Sequence, residues 1–242
     1  MSVRLAELGA AVFDLDGTLV DQKSAASSAV IPWAAELGIT DTEVPARWAE
    51  IADRHYRRYQ RREISFEGQR RERVREFVDA DLTDAEASRI FSGYLARYEA
   101  GWRLFDDAIP ALRRARAAGL AVAVLTNGDR TQQWQKAVRF GLEGEIDAMV
   151  CSSELPAGKP DRRAFEAISE RIGVRPESAV MIGDSPGTDI RGALDSGMAA
   201  VLLDREHRHP ASAALRVGSL DEIEFIPSAV RAGQRTLRAP GR

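Results

Sequence analysis

Short apolar runs alternate with amphipathic stretches along the second half of the chain, from about residue 104 onward. An apolar run of three to five residues is typical of a strand buried on both faces, and the longer stretches between the runs have helical periodicity. The predicted strands lie at 121–125, 148–150, 179–182 and 199–203, and the predicted helices at about 107–118, 131–140, 160–172 and 189–196. This alternation predicts an α/β fold whose core is a doubly wound, Rossmann-like parallel sheet.

The stretch from about 22 to 100 has helical periodicity and no convincing strand. Apolar and aromatic residues recur there at intervals of three and four, which favours the core of a helix bundle. Another apolar strand, at 10–13, precedes this stretch and is expected to join the sheet of the second half. The predicted organisation is a core from 1–21 and 101–230, an inserted α-helical domain at 22–100, and a flexible polar tail at 231–242.

The composition argues against several classes of protein and site. The formal net charge of −3 gives no general attraction to nucleic acid or anionic lipid, and no apolar stretch approaches the length of a membrane span. The one cysteine, Cys151, cannot form an internal disulfide, and its apolar neighbours predict a buried thiol. The three histidines, His55, His207 and His209, are too scattered for a zinc site. We expect a cytoplasmic protein without nucleic-acid or membrane partners.

Two acids and a glycine follow the strand at 10–13, in the segment 14–18 (Asp-Leu-Asp-Gly-Thr). Residues two apart on a strand point to the same side, so Asp14 and Asp16 can face one reacting centre. Gly17 allows the backbone to turn sharply after them. Two like charges held this close repel each other, and such a pair is usually stabilised by a cation or used as an acid and a base.

Three more polar segments each follow a predicted strand. The segment 126–129 (Thr-Asn-Gly-Asp) offers a hydroxyl, an amide and backbone N–H groups that can cradle an anionic oxygen. The segment 158–161 (Gly-Lys-Pro-Asp) places Lys159, one of only three lysines, before a helix that Pro160 can start. The segment 183–189 (Gly-Asp-Ser-Pro-Gly-Thr-Asp) adds two acids. Open parallel sheets bind ligands at the carboxyl ends of their strands, so the four segments predict one site.

In this order, the four segments closely resemble the motif set of the haloacid dehalogenase superfamily, specifically its phosphatase branch, and the resemblance covers nearly the whole chain. It implies a Mg²⁺-dependent phosphatase that hydrolyses a small phosphorylated metabolite, of the sugar phosphate, nucleotide or phosphoglycolate type, through an aspartyl phosphate. In that family a helical domain inserted soon after the first motif acts as a cap over the active site, and the stretch 22–100 matches its position and size.

The resemblance assigns a catalytic role to four residues. Asp14 matches the nucleophile and Asp16 the acid and base, while Thr126 and Lys159 match the groups that hold the phosphoryl oxygens. A carboxylate nucleophile cannot approach a phosphomonoester dianion unless the charge is neutralised, and the hydroxyl and ammonium supply part of that neutralisation. Further contacts to the phosphate are expected from two neighbours in the second motif, Asn127 and Gly128.

Mg²⁺ is expected at the acidic side of the same site, because it is a hard ion that prefers oxygen ligands and can bridge a carboxylate and a phosphate. The expected ligands are Asp14, the backbone carbonyl of Asp16, and Asp184. Asp189 is expected to order waters or to orient Lys159. Two local alternatives stay open, namely that Asp189 is only a helix N-cap and that Thr126 and Asn127 only cap the next helix.

Other functions are compatible with parts of this pattern. A phosphomutase or phosphotransferase of the same superfamily would differ in cap residues that the sequence does not place. A hydrolytic dehalogenase is disfavoured because such relatives lack the second motif acid, which is Asp16 here. A phosphonatase is disfavoured too, because it needs a cap lysine for a Schiff base, and the only lysine near that region is Lys23, close to its first hinge. From another class, a non-catalytic phosphate-binding protein would be expected to have lost a motif residue, and none is missing.

The inserted stretch is rich in arginine, with ten arginines and six acids in 47–76. One or two of these arginines are candidates to bind a carboxylate or second phosphate of the substrate, against the simpler reading of a solvated helix with internal salt bridges. The sequence leaves the oligomeric state open between monomer and homodimer.

Overall fold

The computed structural model describes residues 2–209 and 215–227. Two compact units divide the chain, Met1–Leu19 with Leu104–Arg242, and Val20–Arg103. The predicted tail at 231–242 lies outside the described residues.

Six parallel strands form the main sheet of the larger unit, in the order β4-β3-β2-β5-β6-β7. Their bounds are β2 (Ala10–Phe13), β3 (Ala121–Thr126), β4 (Ala148–Cys151), β5 (Ala179–Gly183), β6 (Ala199–Leu203) and β7 (Leu215–Val217). Except for the edge strand β7, the strands are apolar and mostly buried, as strands covered on both faces must be. The doubly wound parallel sheet predicted from the sequence is therefore confirmed.

A separate pair of short parallel strands, β1 (Val3–Leu5) and β8 (Ile223–Phe225), completes the strands of this unit among the described residues. Together with β7 these strands were not predicted. Each is only three residues long, which is too short for a period of two to be visible in the sequence.

Four helices form the smaller unit: α1 (Gln22–Glu36), α2 (Val44–Gln60), α3 (Phe66–Val78) and α4 (Asp84–Ala100). Their core is aromatic. The rings of Trp33 and Phe77 stack with centroids 5.2 Å apart, and Trp48 packs against Trp33 at 4.9 Å. The ring centroids of Tyr94, on α4, and Trp48 are 4.8 Å apart, so side chains from all four helices meet in one cluster. The α/β fold thus contains an inserted α-helical unit, as the predicted fold class has it.

The remaining helices flank the main sheet: α5 (Ala108–Ala117), α6 (Arg130–Arg139), α7 (Arg162–Ile172) and the short α8 (Arg191–Asp195). The start of α7 differs from the prediction. Pro160 does not begin it, since the helix starts two residues later, at Arg162. Asp161 is the N-cap, and its carboxylate accepts the backbone N–H of Arg163 at 3.0 Å.

Replacing Asp161 by alanine is expected to destabilise the folded protein by about 1 kcal/mol at neutral pH, the usual contribution of an N-cap. Hydrogen bonds from the Arg163 side chain and backbone lower the pKa of Asp161 to about 2. Since this value lies below the unfolded one, the stabilisation is present above about pH 4 and is lost as the pH falls toward 2. Urea unfolding of both proteins between pH 6 and 3 would show the difference shrinking.

Glu166 provides the matched control for this prediction. It lies on the same helix and pairs with Arg162 at 2.7 Å, but both side chains are largely exposed. Glu166→Ala should therefore change the unfolding free energy by less than about 0.5 kcal/mol. If the loss of unfolding free energy in Asp161→Ala stays constant across this pH range, the ionised carboxylate does not stabilise the helix as proposed.

Candidate active site

The central position of β2 brings the predicted motifs together. Val12 of β2 is in register with Ala123 of β3 on one side and with Met181 of β5 on the other. Because the three strands are parallel, the residues that follow them share one edge of the sheet. This edge carries the first, second and fourth motif segments, and the strand order changes direction here, which opens a crevice at the carboxyl ends of the strands.

Lys159 lies between two buried carboxylates. Its Nζ is 2.7 Å from Asp14 Oδ1 and 2.7 Å from Asp189 Oδ1. The other oxygen of Asp189 accepts the backbone N–H of Ser185 at 2.9 Å. Asp189 is thus not the N-cap of α8, an alternative that the sequence had left open, and instead holds the Lys159 ammonium beside Asp14.

A third carboxylate, that of Asp184, lies close to these two. Oxygens of Asp14, Asp184 and Asp189 all lie within 4.8 Å of one another. Burial raises the pKa of Asp14. Lys159 lowers this pKa but does not offset the burial, and the negative charges of Asp189 and Asp184 raise it further. Burial also disfavours the charged Lys159, but the attraction of Asp14 and Asp189 outweighs it and raises the lysine pKa.

The donor set of this cluster fits a divalent cation. Carboxylate oxygens are the ligands that Mg²⁺ prefers, and their mutual repulsion would be relieved by a bound ion. The cluster contains Asp14 and Asp184, which were expected as ligands, and adds Asp189. The side chain of Asp16 is not part of it.

Glycines make room for two of these acids. Gly17 has φ +86°, and a Cβ at this position would overlap the Asp184 carboxylate. A Cβ at Gly183 would overlap the carboxylate of Asp189. Side chains at either position would displace an acid from the cluster, which explains in physical terms why both motifs contain glycine.

Asp16 contacts a second lysine instead. Lys136 Nζ lies 2.6 Å from Asp16 Oδ1 and 2.8 Å from Oδ2, and Gln133 Nε2 donates to Oδ2 at 2.8 Å. Both partners are on α6 and both are buried. They were not among the predicted site residues, although one signal existed, since Lys136 is one of only three lysines in an arginine-rich chain.

The second motif packs against the other segments of the site. The buried Thr126 hydroxyl accepts a hydrogen bond from Gln133 at 2.7 Å. The Asn127 side chain bonds the backbone of Lys159 twice, donating to its carbonyl at 2.7 Å and accepting its N–H at 2.8 Å. The Gly128 N–H donates to Ser152 Oγ at 3.1 Å. Asn127 therefore holds the lysine loop in place.

These contacts bear on two expectations. The N-cap of α6 is Asp129, which accepts the Thr131 N–H at 3.0 Å, so capping does not account for Thr126 and Asn127. The Gly128 N–H, expected to face the phosphate, is bonded to Ser152 in this structure. Phosphate contacts from Asn127 and Gly128 stay a prediction.

Residues with other candidate chemistry lie in different surroundings. Burial raises the pKa of the Cys151 thiol to about 12, as expected for an unreactive cysteine. His55 belongs to the helical unit, where its Nε2 lies 2.7 Å from Glu76. Most arginines of 47–76 pair with nearby acids, while the Arg73 guanidinium lies 4.5 Å from the Trp48 ring centroid. Their contact with a substrate stays a prediction.

No helix among residues 2–209 and 215–227 combines the length and apolar character needed to cross a membrane.

Comparison with known proteins finds relatives that are phosphatases. The chain is 37% identical over 203 residues to the phosphoserine phosphatase of Thermus thermophilus, which covers 82% of this chain and 79% of that protein. It is 33% identical over 129 residues to the glyceraldehyde 3-phosphate phosphatase of Methanothermobacter thermautotrophicus, covering 51% and 57%.

The solved structure of the hydrolase YfnB from Bacillus subtilis, bound to magnesium, has the same fold. Its TM-score is 0.77 at 20% identity, and the superposition covers 89% of this chain and 96% of that one. The sequence model of the haloacid dehalogenase-like hydrolases matches residues 8–197. This chain belongs to the haloacid dehalogenase-like hydrolases.

Proposed function

We propose that this protein is a Mg²⁺-dependent phosphatase that hydrolyses a small phosphorylated metabolite through an aspartyl phosphate on Asp14. The observation that carries the proposal is the buried Lys159 between Asp14 and Asp189, next to Asp184. An ammonium and a carboxylate nucleophile at one sheet edge suit the transfer of a dianionic phosphoryl group. The phosphatase relatives support the same reaction class.

Mg²⁺ would be held by the carboxylates of Asp14 and Asp184, with the backbone carbonyl of Asp16 as a further ligand. When bound, the ion supplies positive charge that offsets the repulsion between the carboxylates and the phosphate. Asp189 would act through Lys159, because one of its oxygens is paired with the ammonium and the other with the Ser185 N–H.

Asp14 attacks the phosphorus in the first step. Lys159 pairs with Oδ1, which leaves Oδ2 of the same carboxylate as the attacking atom. The bond from phosphorus to the leaving oxygen breaks as the new bond forms, and Asp16 donates a proton to that oxygen. Lys159 and Thr126 hold phosphoryl oxygens during the transfer.

Water completes the reaction in the second step. Asp16, now a carboxylate, accepts a proton from the water that attacks the phosphorus of the aspartyl phosphate. The bond from phosphorus to Asp14 breaks, and the carboxylate is regenerated with inorganic phosphate as the product. This use of Asp16 as an acid distinguishes phosphate hydrolysis from halide displacement, because a halide leaves without an oxygen that needs a proton.

The substrate is proposed to be a small phosphomonoester. The relatives are named for phosphoserine and glyceraldehyde 3-phosphate, so a phosphate-release panel should contain these two with sugar phosphates, nucleotides and phosphoglycolate. Hydrolysis of at least one member with Mg²⁺, and none with a chelator, is the expected result. Transfer to a sugar acceptor in place of water would favour the phosphomutase alternative, and no turnover of any member would overturn the proposal.

Asp184→Asn is expected to weaken Mg²⁺ binding by about 10- to 100-fold, since it removes one negative ligand from the cluster. Activity titrated against Mg²⁺ should therefore reach half its maximum at a correspondingly higher concentration, with partial recovery in excess Mg²⁺. Calorimetric titration of Mg²⁺ measures the same change without turnover.

Asp195→Asn is the matched control for this titration, because Asp195 lies at the exposed end of α8 and pairs only loosely with Arg191, at 3.6 Å. Its Mg²⁺ dependence should equal that of the wild type. An unchanged Mg²⁺ titration for Asp184→Asn would remove Asp184 from the proposed ligand set.

A further inference from the structure

We propose that Gln133 and Lys136 are positioning residues for the reaction, which together fix the Asp16 carboxylate and reserve the Thr126 hydroxyl proton for a phosphoryl oxygen. The inference rests on the proposed phosphatase function, because it concerns the acid and base and one phosphate-holding group of that site. It links the motif after β2 and the motif that begins at the end of β3 through one face of α6.

Lys136 lies on the buried side of Asp16 and pairs with its carboxylate. Its side chain is 1% exposed, whereas that of Asp16 is 24% exposed and so remains accessible. Three acceptor atoms surround Nζ, namely both oxygens of Asp16 at 2.6 and 2.8 Å and Gln133 Oε1 at 2.9 Å. An ammonium can only donate, so in each of these contacts Lys136 is the donor.

Lys136 also determines which way the Gln133 amide faces. Because the ammonium can only donate, the atom of Gln133 that faces it must be the carbonyl oxygen. The amide nitrogen then faces the other way, where it donates to Asp16 Oδ2 at 2.8 Å and to Thr126 Oγ1 at 2.7 Å. The two N–H bonds of the amide thus go to two different motif residues.

The direction of these hydrogen bonds decides what Thr126 can do. Since Gln133 donates, the Thr126 oxygen accepts, and the hydroxyl proton is directed to another acceptor. A hydroxyl that holds a phosphoryl oxygen must donate to it, so this is the orientation that the reaction requires. On Asp16, Oδ2 accepts two hydrogen bonds and Oδ1 accepts one, which makes Oδ1 the oxygen that exchanges the proton.

Gly128 supports the same role for Gln133. A Cβ at Gly128 would lie 2.6 Å from Gln133 Cγ and 2.8 Å from its amide nitrogen, closer than real Cβ contacts allow. The glycine of the second motif is therefore needed for the Gln133 side chain to pass over it and reach Asp16. This requirement is separate from any contact that Gly128 makes with phosphate.

A double-mutant cycle on kcat tests the proposal. Lys136→Met and Gln133→Leu are each expected to lower kcat by about 10- to 100-fold with little change in KM, the usual effect of removing a group that orients a catalytic residue. In an Asp16→Asn background both losses should be smaller, because the part that acts through Asp16 is gone and only the part that acts through Thr126 remains. Equal losses in both backgrounds would indicate a purely structural role and would overturn the proposal.

Gln133→Glu tests the hydrogen-bond direction, since a carboxylate keeps the shape of the side chain but can no longer donate to Asp16 or Thr126. It should lower kcat at least as much as Gln133→Leu, and activity near the wild type would contradict the assigned orientation. Gln135→Leu is the control on the same helix, because Gln135 is exposed, and it should retain wild-type kcat.

Failure of the proposed function is recognised separately. If the wild type releases no phosphate from any substrate, the phosphatase assignment fails whatever the variants do. Crystal structures of the wild type and Lys136→Met then test the positioning without turnover. The Asp16 carboxylate is expected to leave its place when the ammonium is removed, and an unmoved carboxylate would overturn the positioning role.

Discussion

Asp14→Asn is expected to lower phosphate release by on the order of 10⁴-fold or more, the scale seen when a covalent nucleophile is removed. The amide nearly preserves the volume of the carboxylate but cannot form the aspartyl phosphate. The measurement is kcat on the best substrate of the panel at saturating Mg²⁺. Acid quench during turnover gives a second measurement, since phosphate should be bound covalently to the wild type and absent from the variant.

The same substitution should not destabilise the metal-free protein. When Asp14 is ionised, it carries one excess negative charge together with Lys159 and Asp189, and the substitution leaves a balanced pair of Lys159 and Asp189. Burial already disfavours the ionised Asp14. The midpoint of thermal unfolding with a chelator should therefore be unchanged or raised. Asp195→Asn should be active and equally stable, and covalent phosphate on Asp14→Asn would show that another residue is the nucleophile.

The sequence was sufficient to predict the acidic edge of the site because its geometry follows from strand direction alone. Asp14, Thr126 and Asp184 each stand at or just after the carboxyl end of an apolar run, and parallel strands place such ends together. Strand direction alone could not predict the ion pairs of Lys159, because this residue lies in a loop and not at the end of a strand. The placement of Lys159 at the site came from the family resemblance and not from the hydrophobic periodicity.

The contacts of Asp16 could not be obtained in the same way. Gln133 and Lys136 are three residues apart, which places them on one face of a helix, but helical periodicity does not say which strand that face meets. Asp16 and Lys136 are separated by 120 positions in the chain. The partners of Asn127 were equally hidden, because an amide after a strand suits a phosphate, a helix cap and a backbone clamp alike.

Lys159→Met is expected to lower kcat by about 10³-fold, the upper range for losing one donor to a transferring group. In contrast to Asp14→Asn, it should also destabilise the metal-free protein, by about 3 kcal/mol, because buried carboxylates lose their paired cation. Both effects have one physical cause, since the ammonium offsets the charge of Asp14 and Asp189 in the resting site and that of the phosphate during the reaction.

Urea unfolding with a chelator and with excess Mg²⁺ measures the stability effect. In Lys159→Met, Mg²⁺ should recover part of the lost stability, because it binds the same carboxylates in place of the ammonium. It should not recover the activity. Lys159→Arg is the charge-preserving control, and its larger planar group should restore stability only in part within this buried site. Asp14→Asn and Lys159→Met should thus both lose nearly all activity, while only Lys159→Met loses stability. General unfolding cannot produce that combination, and equal losses of stability in the two variants would contradict the charge balance proposed for the site.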